Sequence, residues 1–132
     1  KPKLQPGQIA TPFVPRLYEE ELDICDFYFQ KFDLLDANAV LACMADSSTR
    51  CFGGLPTRRV MRATPTCSGS GATDFQVRAG SAWVTTTAEN IAGSTNTMIF
   101  LDFTTGGSLA QDEAAFVAAN GTSKYILASA EI

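Results

Sequence analysis

At 132 residues, 45% of them hydrophobic and 18% charged, the chain suits one domain with one buried core and is too apolar to be disordered. Ten basic against fourteen acidic residues leave a net charge of −4 and a pI of about 4.6, which argues against binding nucleic acid or an anionic membrane surface. No apolar run approaches the roughly 20 residues that span a bilayer, and no histidine is present to serve a serine or cysteine nucleophile or a zinc ion.

Residues 1–16 hold four of the six prolines: Pro2, Pro6, Pro12 and Pro15. Proline fixes φ and lacks a donor, so this segment is predicted to be an extended lead-in. Ile9 and Phe13 read as anchors along a surface, with a plain linker as the alternative. The opening Lys1–Gly7 has no apolar h-region; no signal peptide is expected, and the start reads as a cut inside a longer protein. Residues 17–132 are predicted to form one module.

From Leu17 a helical period begins. Tyr18, Leu22, Cys25, Phe29 and Phe32 fall on one helix face. Glu19, Glu20 and Glu21 crowd the first turn, where carboxylates favour the positive end of the helix dipole. Phe27-Tyr28-Phe29 also reads at period two, and aromatic residues suit strands. The expectation is a short helix near 17–25 that switches to a strand near 26–34; one longer helix is the alternative.

Beyond Leu34 come short strand-like runs separated by turn signals. Strands are predicted at 39–44, 49–52, 60–66, 75–78, 82–87, 97–103 and 124–130. Asp46-Ser47-Ser48, Gly53-Gly54, Ser68-Gly69-Ser70-Gly71, Gly106-Gly107 and Asn120-Gly121 read as turns or loops. Residues 110–119 are left as a helical turn or a loop. About seven or eight strands of this kind predict an all-β fold, a small antiparallel β-sandwich of jelly-roll type with one short N-terminal helix.

Cys25, Cys43, Cys51 and Cys67 have no Cys-x-x-Cys spacing, so no structural zinc is expected. Four free, mostly buried thiols are expected, with two disulfides as the alternative. The carboxylates form a solvated acidic face on the helix and are scattered singly elsewhere, so no glycosidase pair can be nominated. The reading is a non-enzyme with no cofactor and no metal site. Trp83, among Ser81, Ala82 and Thr85 to Thr87, is a candidate sugar platform, with a core tryptophan as the alternative. Arg58, Arg59 and Arg62 form the one basic cluster, suited to bidentate contact with acidic sugars or a neighbouring subunit, or else a solvated turn. Phe13, Leu17, Tyr18 and Tyr28 belong to a stretch with more apolar surface than its own elements can bury. They are the candidate interface residues of an oligomer.

The stretch Ala10, Thr11, Phe13, Arg16, followed by Glu21, Leu22, Cys25, Tyr28, Phe29 and Lys31, resembles a recurring pattern in the tail fibres and tail spikes of tailed bacteriophages. Met61-Arg62-Ala63-Thr64-Pro65-Thr66 is similar to a second segment of those modules. Tyr125 to Ile132 is similar to their usual ending. The family commonly has Gln-Arg where this chain has Asp26-Phe27, and residues 68–120 carry no shared motif. The resemblance implies a C-terminal module on a virion appendage, assembled in the bacterial cytoplasm and displayed as a homotrimer. Its implied partner is host cell-surface polysaccharide. A purely structural trimerisation or capping role is the alternative, as is an accessory domain of a depolymerase whose active site lies upstream.

Overall fold

The computed structural model describes residues 15–34 and 41–130. The anchors Ile9 and Phe13 and most of the lead-in lie outside the described residues. Helix α1 (Tyr18–Tyr28) runs directly into β1 (Phe29–Leu34). There follow β2 (Leu41–Ser47), β3 (Arg50–Pro56), β4 (Thr66–Gly69), β5 (Phe75–Arg78), β6 (Val84–Thr95), β7 (Met98–Thr105), β8 (Ala114–Ala119) and β9 (Lys124–Ser129). The fold is all-β and antiparallel with one short helix, as the sequence indicates. Its strands make a closed barrel in the order β2-β3-β7-β6-β5-β8 and a separate sheet in the order β1-β9-β4.

Alternation along β7 turns Ile99, Leu101 and Phe103 into the barrel, where Phe103 meets Phe75 of β5 at 5.1 Å between ring centres. Other parts of the wall carry small residues, Ala45 of β2, Cys51 of the neighbouring β3, and Ala115, Val117 and Ala119 of β8. A barrel this narrow has room for large side chains from some strands only if others supply small ones. Ile126 and Ala128 of β9 and Leu34 of β1 extend the core into the three-stranded sheet.

The helix is placed by its last turn. Carbonyls at a helix end lack intrahelical donors. Here the Asp26 carbonyl accepts from Gln30 Nε2 (2.9 Å), that of Phe27 from the Arg62 N–H (2.8 Å), and that of Tyr28 from the Ala130 N–H (2.7 Å). The chain then becomes extended at Phe29 and pairs with β9, from Phe29↔Ser129 to Leu34↔Lys124. The switch from helix to strand is therefore real and falls a few residues later than the sequence suggests. No residue of α1 is buried.

Four local expectations are corrected. Gly53-Gly54 is no turn but the middle of β3; a Cβ on Gly53 would lie 2.6 Å from Cys43 Sγ and 2.7 Å from the Ala42 carbonyl, so the strand pairing itself demands glycine. Residues 60–65 are not a strand, because their donors go separate ways: the Met61 N–H to the Asn96 carbonyl and the Arg62 N–H to that of Phe27. Ser68 and Gly69 close β4 and are not loop. Residues 114–119 form β8, where alanines that favour a helix in isolation serve as the small wall of the barrel.

None of the four cysteines is in a disulfide: Cys51 is buried, Cys43 and Cys67 are half-buried, and Cys25 is exposed. Cys51 hydrogen-bonds the Cys43 sulfur inside the barrel wall, which lowers the pKa of Cys43 and raises that of Cys51.

Candidate functional site

The outer face of the barrel carries a row of side chains from β5, β8 and the residue that leads into β6. On β5, Phe75 and Val77 fill the core, so Arg78 points outward. On β8, Ala115 and Val117 point inward, so Phe116 points outward and stands 48% exposed. Arg78 and Phe116 are directly opposed in the β5–β8 pairing. Across β5 in the other direction the last β6 pair is Val77↔Val84, and one step beyond it Trp83 comes beside Arg78. The guanidinium carbon sits 6.0 Å from the indole centre, and Trp83 is 39% exposed.

The order across the strands is thus aromatic, cation, aromatic. Arg78 Nε donates to the Gly80 carbonyl at 3.3 Å, which steadies the side chain over the indole. Gly80 itself has φ +97°, a conformation glycine tolerates and which turns the chain away between Arg78 and Trp83. A groove of about 660 Å³ opens here, lined by Arg78, Gly80, Trp83, Glu113, Ala114 and Phe116. That volume falls within the range usual for small-ligand sites. The other guanidinium nitrogens of Arg78 and the carboxylate of Glu113 have no hydrogen-bond or ion-pair partner among the described residues. Arg50, by contrast, is held by Asp102 through two 2.9 Å contacts.

Next to this groove the outer face turns wholly apolar. Ala42 of β2 pairs with Phe116, and Met44 pairs with Ala114. From there Met44, Phe52, Met98 and Phe100 surround a shallow recess of about 480 Å³, with Phe52 and Phe100 stacked at 6.5 Å.

Trp83 thus stands at a groove and not in the core. The three arginines nominated with it lie elsewhere and join α1 and β1 to residues 57–65. Arg58 lies over the Phe32 ring and donates to the Lys31 carbonyl at 2.9 Å, Arg59 pairs with Asp23 at 2.6 Å, and Arg62 lies over Tyr28. None of the three lines the Trp83 groove. Of the nominated interface residues, Leu17 is 71% and Tyr18 76% exposed, and Tyr28 is half-buried against Phe27 and Arg62. Arg78, Glu113 and Phe116 were missed. Arg78 was readable, since it lies off the core phase of a correctly placed strand. Phe116 is hidden in the sequence because the alanine-rich run 110–119 reads as a helical turn or a loop, whereas 114–119 is β8.

One further pair of carboxylates is perturbed. Glu89 of β6 lies over Gly69 of β4, with Oε2 buried and unpartnered, and burial followed by the charge of Asp74 pushes its pKa up. Asp74 is bonded to Lys124 at 2.7 Å and to Ser70, which holds its pKa down. Neither carboxylate lines the grooves above. Among the described residues no three His, Cys, Asp or Glu side chains converge as a metal site would need, and no helix is long and apolar enough to cross a membrane. Comparison with protein-family models, with curated proteins and with solved structures found no match to this chain.

Proposed function

We propose that the chain is a non-catalytic receptor-binding module of a phage tail fibre or tail spike, presented as a homotrimer and docking host surface polysaccharide. The observation that carries the reading is the Phe116–Arg78–Trp83 row over its groove. Sugars present apolar ring faces and hydroxyl edges together. Half-exposed aromatic faces beside unpaired hydrogen-bonding groups suit that chemistry. On this reading the barrel and the three-stranded sheet act together as a jelly-roll-like sandwich that holds the row rigid. The sequence resemblance supplies the appendage, the virion location and the number three.

A glycan array probed with the whole chain tests the proposal. Binding to bacterial surface polysaccharides is expected, and Trp83→Ala is expected to abolish most of it. An array with no bound polysaccharide overturns the receptor-binding role.

A structural trimerisation role is the second reading. It is favoured by a helix with no buried residue and by the apolar patch of exposed Met44 and Met98 and half-buried Phe52 and Phe100. Large apolar surface outside a monomer's core suits contact between copies. The two readings are compatible, because weak sugar contacts repeated three times gain avidity.

A further inference from the structure

Resting on the glycan-binding reading, we infer that the groove selects an acidic saccharide, with a sugar carboxylate bound by Arg78 between two rings stacked on Trp83 and Phe116. The cation is at the centre of the row, one strand from each aromatic side chain. At the usual strand spacing the two aromatic positions are about 10 Å apart, more than the step between adjacent sugar rings, so the two stacked rings are separated by one further ring that faces the cation. The indole face takes water from one side of the guanidinium. A guanidinium partly stripped of water gains most from an anionic acceptor, and its fork matches a carboxylate with two parallel bonds.

The surroundings limit the charge of the ligand. The chain is net negative, so no long-range field gathers anions, and discrimination must come from Arg78 itself. Glu113 on the same groove opposes a doubly charged group such as a phosphate monoester. Arg78 and Glu113 together leave the groove with no net charge, so a singly charged carboxylate that meets Arg78 directly is opposed less by Glu113 than a doubly charged group would be, and Glu113 can accept from sugar hydroxyls. Gly80 and Ala114, which also line the groove, are small enough for a ring to come close.

Trp83 is the sole tryptophan, so the emission of the intact chain reports on this groove and nowhere else. The experiment titrates the whole chain with oligomers of galacturonate, glucuronate and mannuronate, each beside its carboxyl-reduced neutral counterpart. At least one acidic oligomer is expected to change Trp83 emission saturably, binding roughly 10-fold or more tighter than its neutral form at low salt. Added salt is expected to narrow that gap. Arg78→Gln, at an exposed position, is expected to remove the preference for the acid while leaving thermal unfolding unchanged.

Equal binding of acidic and neutral forms overturns the inference and leaves a neutral-glycan site at the same groove. Silence from every uronate, with a polysaccharide still captured on the array, overturns the inference and moves the site away from Trp83. Silence in both assays overturns the glycan reading as well. A preference for the acid that survives Arg78→Gln overturns the role of Arg78.

Discussion

Glu89 and Asp74 are neighbours whose environments push them in opposite directions. Burial, and then the charge of Asp74, raise the pKa of Glu89. A carboxylate with a folded pKa above its unfolded value binds its proton more tightly when folded. Its favourable contribution is therefore full below the unfolded pKa and is lost as pH rises through the folded one. Asp74 behaves the other way. Its bonds from Lys124 and Ser70 depress its pKa, so its contribution is present above the unfolded pKa and is lost as pH falls through the folded one. Glu89→Gln is expected to raise the urea midpoint at neutral pH and to flatten the decline above the ordinary carboxylate range. The acid limb set by Asp74 should remain. Urea midpoints from about pH 3 to about pH 8 check this. A wild-type midpoint that rises steadily towards neutral pH, with the variant below it, would refute the assignment.

One buried polar side chain stands at the joint between α1 and β1. Gln30 is 1% exposed, and its amide makes three hydrogen bonds. Nε2 donates to the Asp26 and Arg59 carbonyls at 2.9 and 3.1 Å, and Oε1 accepts from the Arg58 N–H at 2.8 Å. The amide thus ties the end of the helix to the irregular segment 57–65. Gln30→Ala would leave these backbone groups without partners in a dry site, at an expected cost of about 2–3 kcal/mol. A lower urea midpoint at an unchanged slope would show it; a loss below about 0.5 kcal/mol would mean that water or a shifted backbone replaces the amide. The alternation at 26–34 puts Gln30 in phase with Phe32, but pattern alone treats glutamine as a surface residue. Its burial is settled by the carbonyls and the N–H that meet it from distant parts of the chain.

At the scale of the whole molecule, helix α1 is tied to the protomer through its last turn and the Arg59–Asp23 pair but buries none of its residues there. Leu17, Tyr18, Leu22, Ile24 and Phe27 are all exposed large apolar residues on or beside it. In the trimer proposed above, such a surface is covered by a neighbouring copy. Static light scattering across a dilution series is expected to give about three times the 14.1 kDa chain mass. The double variant Leu17→Asp with Tyr18→Ser is expected to fall to the single-chain mass with its core unfolding unchanged, because both positions are largely solvent-exposed. A wild-type mass of 14.1 kDa at every concentration removes the trimer reading. Equal assembly by the double variant would place the contact elsewhere, with the Met44, Phe52, Met98 and Phe100 patch as the next candidate.

What the sequence by itself determined is whatever short-range periodicity and turn chemistry decide. The helix-to-strand switch, the strand at 75–78, the break at Gly106-Gly107 and the Asn120-Gly121 turn all depend on neighbours within a few residues. Trp83 could be singled out as well, because a lone tryptophan among hydroxylated residues is a local fact. Only the tertiary structure decided the features that depend on which strands meet. Gly53 and Gly54 look like a turn until β2 and Met98 occupy the space their side chains would need. Residues 114–119 become a strand because the barrel wall takes small side chains, overriding alanine's helix preference. The candidate site follows the same logic. Arg78, Trp83 and Phe116 come from separate stretches of the chain, and strand register, a non-local property, makes them neighbours.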